Sequence, residues 1–409
     1  MIEYKITPAA WIKKIPAHWN FNLVREIFEE RKTKVSDKIY PPLSVSKAGV
    51  VPQMETAAKT DNGDNRKLVK IGDFVINSRS DRKGSSGISD YEGSVSLIYT
   101  VLKPSINVNK KFLHYLLRSV PFTEEYYRNG KGLVSDLWTT NYDKFRNIFI
   151  PIPPCDEQEK IVRYLDKKTS QIAMYIDAKK KEVELLGELK RSIISDAVTK
   201  GLHSSQTPTH WKKIKLKYIA KLNPDRKKSF LPTDKLGYVP MECVKSGYLI
   251  PKEILFKDLI SGLTYFENGD IILAKVTPCF ENGNIAIAKN LTNGKAYGSS
   301  ELFVLKCFNV KTKFLFYLLQ SNDFKNDCIA SMTGVAGLKR VSSRTLMNYL
   351  ISLPLPEEQK EISNFLDAKC AKIEKLIETL QNEIKFVEEL MTRIISDVVT
   401  GKIDVRELI

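Results

Sequence analysis

An ungapped match at an offset of 201 residues ties DEQEKIVRYLDKKTSQIAMYIDAKKKEVELLGELKRSIISDAVT (156–199) to EEQKEISNFLDAKCAKIEKLIETLQNEIKFVEELMTRIISDVVT (357–400). A chain that repeats itself in register over so long a stretch is an internal duplication, and any fold assigned to it must be built twice. Looser echoes precede each copy: PAHW against PTHW (His18 Trp19, His210 Trp211), IGDFVI against NGDIIL (Gly72 Asp73, Gly269 Asp270), and KKFLHYLLRS against KTKFLFYLLQS. The spacing between these anchors varies by several residues, as loop insertions make it. The expected organisation is a variable domain over 1–152, a helix over 153–202, a second domain over 203–353 and a second helix over 354–409.

The repeated stretch has the pattern of a long helix with one apolar seam. Ile373, Ile377, Leu380, Ile384, Val387, Met391, Ile394 and Val398 recur at alternating steps of four and three, a period of 3.5. The first copy has Ile172, Ile176, Lys179, Val183, Leu186, Lys190, Ile193 and Ala197 at the same positions, so two lysines interrupt its seam. Lysine stems can lie over apolar surface with their heads in water, and polar residues in a seam can set register and partner. Packing of each helix on its own domain is the alternative, but a seam of seven or more turns exceeds what one domain needs. Two related seams in one chain most simply pair with each other as an antiparallel coiled coil. A helix of ~32 residues is about 48 Å long at 1.5 Å per residue.

The helix starts are marked by IPIPPCDEQ and LPLPEEQ, where prolines hold the chain extended and acidic residues follow at the positive end of the helix dipole. Asp166 and Asp367 are candidate caps of a second helical segment, so a short helix followed by a long one and a single rod both fit. Upstream, DFVIN, SVSLIYTVL, DIILAKV, NIAIA and ELFVLKCF alternate as strands do, between Gly, Asn and Ser clusters. FLHYLLRS and FLFYLLQS have helical spacing, and their aromatic residues are expected in the core. The fold class is therefore α+β, two mixed domains and two long helices in a pseudo-twofold repeat.

Net charge is +16, and its distribution carries the functional argument. The excess of Lys and Arg is +8 over 1–155, +1 over 156–200, +11 over 201–356 and −4 over 357–401. One basic block alone reads as a solvated surface. Two matched basic blocks flanking near-neutral helices point to a polyanion. No stretch approaches the ~18 apolar residues of a membrane span, and MIEYKITPAAWIKKIP has no apolar signal core. Six scattered cysteines without a CxxC pair fit reduced thiols, so a cytoplasmic protein is expected.

Gly130 Lys131 and Gly294 Lys295 lack the glycine five residues upstream that a phosphate loop needs. Asn223 Pro224 Asp225 Arg226 reads as a turn and not as the catalytic strand end of an amino-methyltransferase. Asp225 with Asp234 Lys235 resembles a nuclease cluster only loosely, in a Pro- and Lys-rich loop. His18, His114, His203 and His210 are isolated from one another, so neither a catalytic nor a metal site is expected.

The order of these features resembles the specificity subunits of type I restriction-modification systems. The likeness rests on P-x-HW near each domain start, GD before a strand, a Pro-rich run into DEQ or EEQ, an LD shortly after, and a helix ending IISDxVTxG; TPCFENGNIAIA (277–288) and GKIDVREL (401–408) add to it. The resemblance implies two target recognition domains, each reading one half of a split, asymmetric sequence of double-stranded DNA, with the helices as spacer. It implies as partners two adenine-N6 methyltransferase subunits and ATP-dependent restriction subunits. S-adenosylmethionine, ATP and Mg²⁺ are then expected in those partners and not in this chain. A stand-alone DNA-binding regulator, a degenerate nuclease or methyltransferase, and a protein-only adaptor of the same architecture are the competing readings.

Base reading needs side chains with donors and acceptors on loops whose origin is fixed. The loops after the two GD strands offer Asn77, Arg79, Asp81, Arg82 and Lys83 in the first domain, and Lys275, Thr277, Glu281, Asn282 and Asn284 in the second. A second loop before each helix offers Arg128, Lys131, Asp136 and Trp138, and then Lys339, Arg340 and Arg344. Each of these residues alone reads equally well as a solvated loop residue. The expected helix-pair interface is Ile172, Ile176, Val183, Leu186 and Ile193 with Ile373, Ile377, Leu380, Ile384, Val387, Met391 and Ile394.

Overall fold

The computed structural model describes residues 3–53, 63–79, 82–105, 108–130, 139–224, 230–335 and 337–408. The chain forms two compact units, Met1–Lys179 with Asn382–Ile409, and Lys180–Gln381. The dividing points fall inside the long helices, so compactness does not follow the expected segments 153–202 and 354–409.

In the first unit, strand Tyr99–Pro104 lies between Phe74–Asn77 and Phe28–Glu30, with Ser86–Ile88 at the outer edge, all antiparallel. Alternation sorts its side chains between two cores. Phe74, Ile76 and Leu102 join helices Lys110–Arg118 and Val120–Arg128 on one side, while Val75 and Val101 meet Val69 and Val95 on the other. The second unit repeats this sheet as Ile285–Ile287, Ile271–Ala274, Leu302–Cys307 and Ala220–Leu222. Ile271, Leu273 and Leu305 face helices Thr312–Leu318 and Asn322–Ala330, and Ile272, Ala274 and Val304 face Val239 and Phe266. As expected, the aromatic residues Phe112 and Phe314 are core, both fully buried.

The Pro-rich runs are strands. Phe149–Ile152 pairs with Asn20–Leu23, and Leu350–Leu353 pairs with Lys212–Lys215, so the end of each domain is tied to its start. Each run leads into one uninterrupted helix, Cys155–Lys200 of 46 residues and Pro356–Val399 of 44 residues. The two-segment alternative does not hold, and Asp166 and Asp367 are not caps. Asp166 accepts from the Tyr115 hydroxyl and from Lys111, and Asp367 accepts from the Tyr317 hydroxyl and from Lys313.

The glutamine of each DEQ or EEQ motif is a clamp. Gln158 is 1% exposed; its Oε1 accepts the Asn109 backbone N–H and its Nε2 donates to the Pro153 carbonyl, both at 2.8 Å. Gln359 does the same with Lys311 and Pro354, again at 2.8 Å. An alanine here leaves a buried carbonyl and a half-buried N–H without their partner, at about 1–3 kcal/mol for the buried group. The preceding glutamates take the histidines of the HW motifs, His18 to Glu157 at 2.7 Å and His210 to Glu358 at 2.9 Å.

Each core is completed by the helix end of the other sequence copy. Val398, Val399 and Val405 are buried with Trp19, Ile161 and Leu165 in the first unit, and Ile194, Ala197 and Val198 are buried with Trp211, Ile362 and Leu366 in the second. Within each unit the two helix segments therefore run in opposite directions. Lys179 meets Glu383 while Leu165 shares a core with Val398; Lys190 meets Glu374 while Val198 shares one with Ile362. Every one of the twelve predicted interface residues is buried or half-buried, whereas Asp177, Glu184 and Glu378 beside them are exposed.

Candidate nucleic-acid interface

Both strands that launch the candidate reading loops start from a turn closed by a buried aspartate. Gly72 and Gly269 adopt φ of +91° and +92°, backbone that glycine takes without strain. Asp73, 2% exposed, accepts the Lys70 backbone N–H at 2.8 Å and holds the Arg31 guanidinium at 2.6 and 3.0 Å through both oxygens. Asp270, 3% exposed, accepts the Glu267 backbone N–H at 2.8 Å. The strands that follow, Phe74–Asn77 and Ile271–Ala274, are buried at every residue, so the loops leave from a fixed point.

At the end of the first strand Asn77 is buried. Its Oδ1 accepts the Arg79 backbone N–H at 3.0 Å and its carbonyl accepts the Tyr127 hydroxyl at 3.0 Å. The structure thus makes Asn77 a turn former inside the domain, while Arg79 and Arg82 are exposed beyond it. Lys83 pairs with Glu124 at 2.6 Å, and Arg128 with Glu125 at 3.0 Å. The loop is joined to the segment before the long helix: Arg79 bridges Thr139, and the Thr140 N–H donates to the Ser78 carbonyl at 2.9 Å. Asp81, Lys131, Asp136 and Trp138 lie outside the described residues.

The second unit joins the corresponding segments more extensively. The Thr277 N–H donates to the Lys339 carbonyl at 3.0 Å, and the Lys339 N–H donates to Thr277 Oγ1 at 2.9 Å. Val276 bridges Arg340, and the Val341 N–H donates to the Lys275 carbonyl at 2.9 Å. Thr333–Val335 and Leu338–Arg340 form a hairpin in a stretch whose sequence reads as a loop. Its second strand is exposed at every residue, including Lys339 and Arg340. A two-stranded ribbon of this kind fits the width of a DNA major groove. Glu281 and Asn282 are exposed on the neighbouring loop, Asn284 is half-buried with its N–H on the Cys279 carbonyl, and Arg344 is exposed in the short helix Ser343–Asn348.

Glu301, which sequence reasoning did not single out, organises the charges of this edge. Arg340 donates to both its oxygens at 3.0 and 2.8 Å, and Lys275 Nζ lies 3.6 Å away while donating to the Ser300 carbonyl at 2.8 Å. Hydrogen bonding from Arg340 holds the Glu301 carboxyl below its ordinary range, against the effect of burial. Arg340 is thereby oriented before any ligand arrives, and two cations against one carboxylate leave the edge positive. Its only prior signal was a glutamate at the start of a strand, SSELFVL.

A sheet domain built twice, with paired loops at the end of a rigid strand and cores completed by shared helices, defines a duplicated α+β protein. The profile of the type I restriction modification DNA specificity domain matches residues 17–185 and 208–385, and the chain belongs to that family. It is 32% identical over 202 residues to the specificity subunit of the type I restriction enzyme EcoAI of Escherichia coli, across 48% of this chain and 34% of that subunit. The chain thus spans about a third of the length of that relative. Among solved structures, a chain of a type I R-M system studied for its complex assembly and conformational transition has a TM-score of 0.70 at 14% identity, covering 95% of this chain and 99% of that one. The HsdS subunit from Thermoanaerobacter tengcongensis has a TM-score of 0.51 at 16% identity, covering 97% and 100%. At these identities the two structures establish the fold. Among the described residues no helix is long and apolar enough to cross a membrane.

Proposed function

We propose that this chain is the DNA-specificity subunit of a cytoplasmic type I restriction-modification complex. Each unit reads one half of a split, asymmetric target. The observation that carries this reading is the paired edge itself, where the same strand, loop and pre-helix segment recur with different side chains. Ser78 and Arg79 meet Thr139 and Thr140 in one unit, and Thr277 meets Lys339 in the other. A shared scaffold under dissimilar contact residues fits two half-sites of unrelated sequence.

On this reading the chain is a non-catalytic subunit. Two adenine-N6 methyltransferase subunits supply S-adenosylmethionine chemistry, and ATP-dependent restriction subunits supply ATP and Mg²⁺. Mapping N6-methyladenine across the host genome with and without this gene is the decisive test. Loss of methylation at one bipartite motif supports the proposal. Unchanged methylation, with a chain that never co-purifies with a methyltransferase, overturns it in favour of a stand-alone regulator or adaptor.

A further inference from the structure

The second unit contains a cavity of about 450 Å³ bounded by the first long helix, the loop Phe280–Gly283 and the helix Asn322–Ala330. Three cations line it, Lys190, Arg191 and Lys325, against one carboxylate, Glu281. Lys190 is held by Glu374 at 2.5 Å. Lys325 Nζ donates to the Glu281 carbonyl at 3.0 Å, and burial together with the charge of Arg191 pushes its ammonium below the usual lysine range. Arg191 has no carboxylate partner among the described residues. Counting Glu374 as well, three cations face two carboxylates, so one positive charge in the cavity is unbalanced.

The repeat shows that these charges are not needed for folding. The offset of 201 places Met391 and Thr392 where Lys190 and Arg191 stand. Ser119 and Ser321 occupy the same position in their domains, each 2% exposed with its hydroxyl on the carbonyl three residues before, which puts Thr123 where Lys325 stands. None of the three positions is basic in the first unit, yet the same helices form there. Gly187 also lines the cavity, and a Cβ there would meet the Arg191 guanidinium at an ordinary contact distance of 3.8 Å.

We infer that this cavity binds a phosphate-type oxyanion, gripped by Arg191 and Lys325 with the amides of Asn282 and Gln320 as neutral donors. Because the loop Phe280–Gly283 carries candidate base-reading residues, the oxyanion is either a phosphodiester of bound DNA or a free phosphate. The first source rests on the proposed function and the second does not.

The test uses the full chain, Arg191→Ala, Lys325→Met, and Arg191→Lys as a charge-retaining control, with near-UV circular dichroism as a check of folding. DNA affinity is measured against salt, and inorganic phosphate binding is followed by ³¹P line broadening. For a phosphodiester, Arg191→Ala lowers the slope of log affinity against log salt by about 0.9 without changing sequence preference, and Arg191→Lys restores it. For a free oxyanion, the slope is unchanged, and the parent chain binds phosphate at least tenfold more tightly than Arg191→Ala or Lys325→Met. If neither the slope nor phosphate binding responds, the inference is overturned. A chain that binds no DNA defeats the proposed function while the phosphate measurement still decides this site.

Discussion

Lys190 Nζ lies 2.5 Å from Glu374 Oε1 in the second unit, and Lys179 Nζ lies 3.7 Å from Glu383 Oε2 in the first. Both lysines are about three-quarters buried, at 22% and 24% side-chain exposure, in seam positions where the second copy has Met391 and Leu380. The interruptions in the apolar seam are therefore answered by carboxylates and fix one alignment of helix segments, at some cost in stability.

Lys190→Met is expected to raise the melting temperature by a few degrees, corresponding to about 1 kcal/mol. Glu374→Lys places like charges together and is expected to lower it, and the exchanged pair Lys190→Glu with Glu374→Lys to recover most of the loss. Calorimetry of the four proteins checks this. A double variant no better than Glu374→Lys would show that the ion pair does not act as a pair.

The two helix-end glycines differ in how closely they are packed. Gly401 has φ of +74° and a Cβ there would sit 2.3 Å from Pro16 Cδ and 3.2 Å from the Trp19 ring. Gly201 has φ of +80°, with the Trp211 ring at 3.3 Å. Both alanine variants incur the left-handed backbone cost of about 1–2 kcal/mol, but only Gly401→Ala also displaces a proline ring, which adds about 1–3 kcal/mol. Denaturant unfolding followed by tryptophan fluorescence is expected to show the larger loss for Gly401→Ala. Equal losses would mean that the Pro16 contact relaxes freely.

His114 supplies a pH dependence with a definite sign. Its Nε2 faces an Arg118 guanidinium nitrogen at 2.7 Å and its Nδ1 faces the Ile88 backbone N–H at 3.3 Å, and burial first and Arg118 second lower its pKa to about 4. The unfolded chain binds this proton near pH 6.5 and the folded chain does not, so stability falls as pH drops from about 6.5 to about 4, by up to about 3 kcal/mol. His114→Phe, which installs the residue found at Phe316 in the other copy, is expected to remove that slope. Unfolding midpoints at pH 7.5 and pH 5 for both proteins measure it, and an unchanged slope in the variant would assign the effect elsewhere.

Local pattern revealed those parts of the fold whose partners are close in sequence or repeat with a period. The GD turns, the alternating strands and the helical seam are of this kind, and so is the duplication. The exchange of helix ends is not, because Val398 in one core with Trp19 depends on packing between residues 379 apart in sequence. At the candidate interface, loop positions were legible from the strands that launch them. The roles of their side chains were not. Asn77 is turned inward by a hydrogen bond to its second neighbour, and Arg340 is fixed by Glu301, 39 residues upstream. The hairpin Thr333–Val335 with Leu338–Arg340 was hidden because its strands are three residues long, too short to show an alternation of apolar and polar residues.

The proposed function makes its sharpest prediction at Arg79. The Asn77 turn presents this arginine at the surface of the first unit, and its backbone is anchored to Thr139. An arginine that reads a base edge contributes about 1–3 kcal/mol of discrimination, whereas a lysine on a phosphate contributes affinity without preference. Arg79→Ala is therefore expected to weaken binding and relax base preference at one half-site, leaving the other unchanged. Lys339→Ala in the second unit is expected to weaken binding to all duplexes and reduce the salt slope by about 0.9. Competition binding against duplexes randomised in one half-site at a time separates these outcomes. Equal loss of preference at both half-sites in Arg79→Ala would remove the assignment of one half-site to each unit.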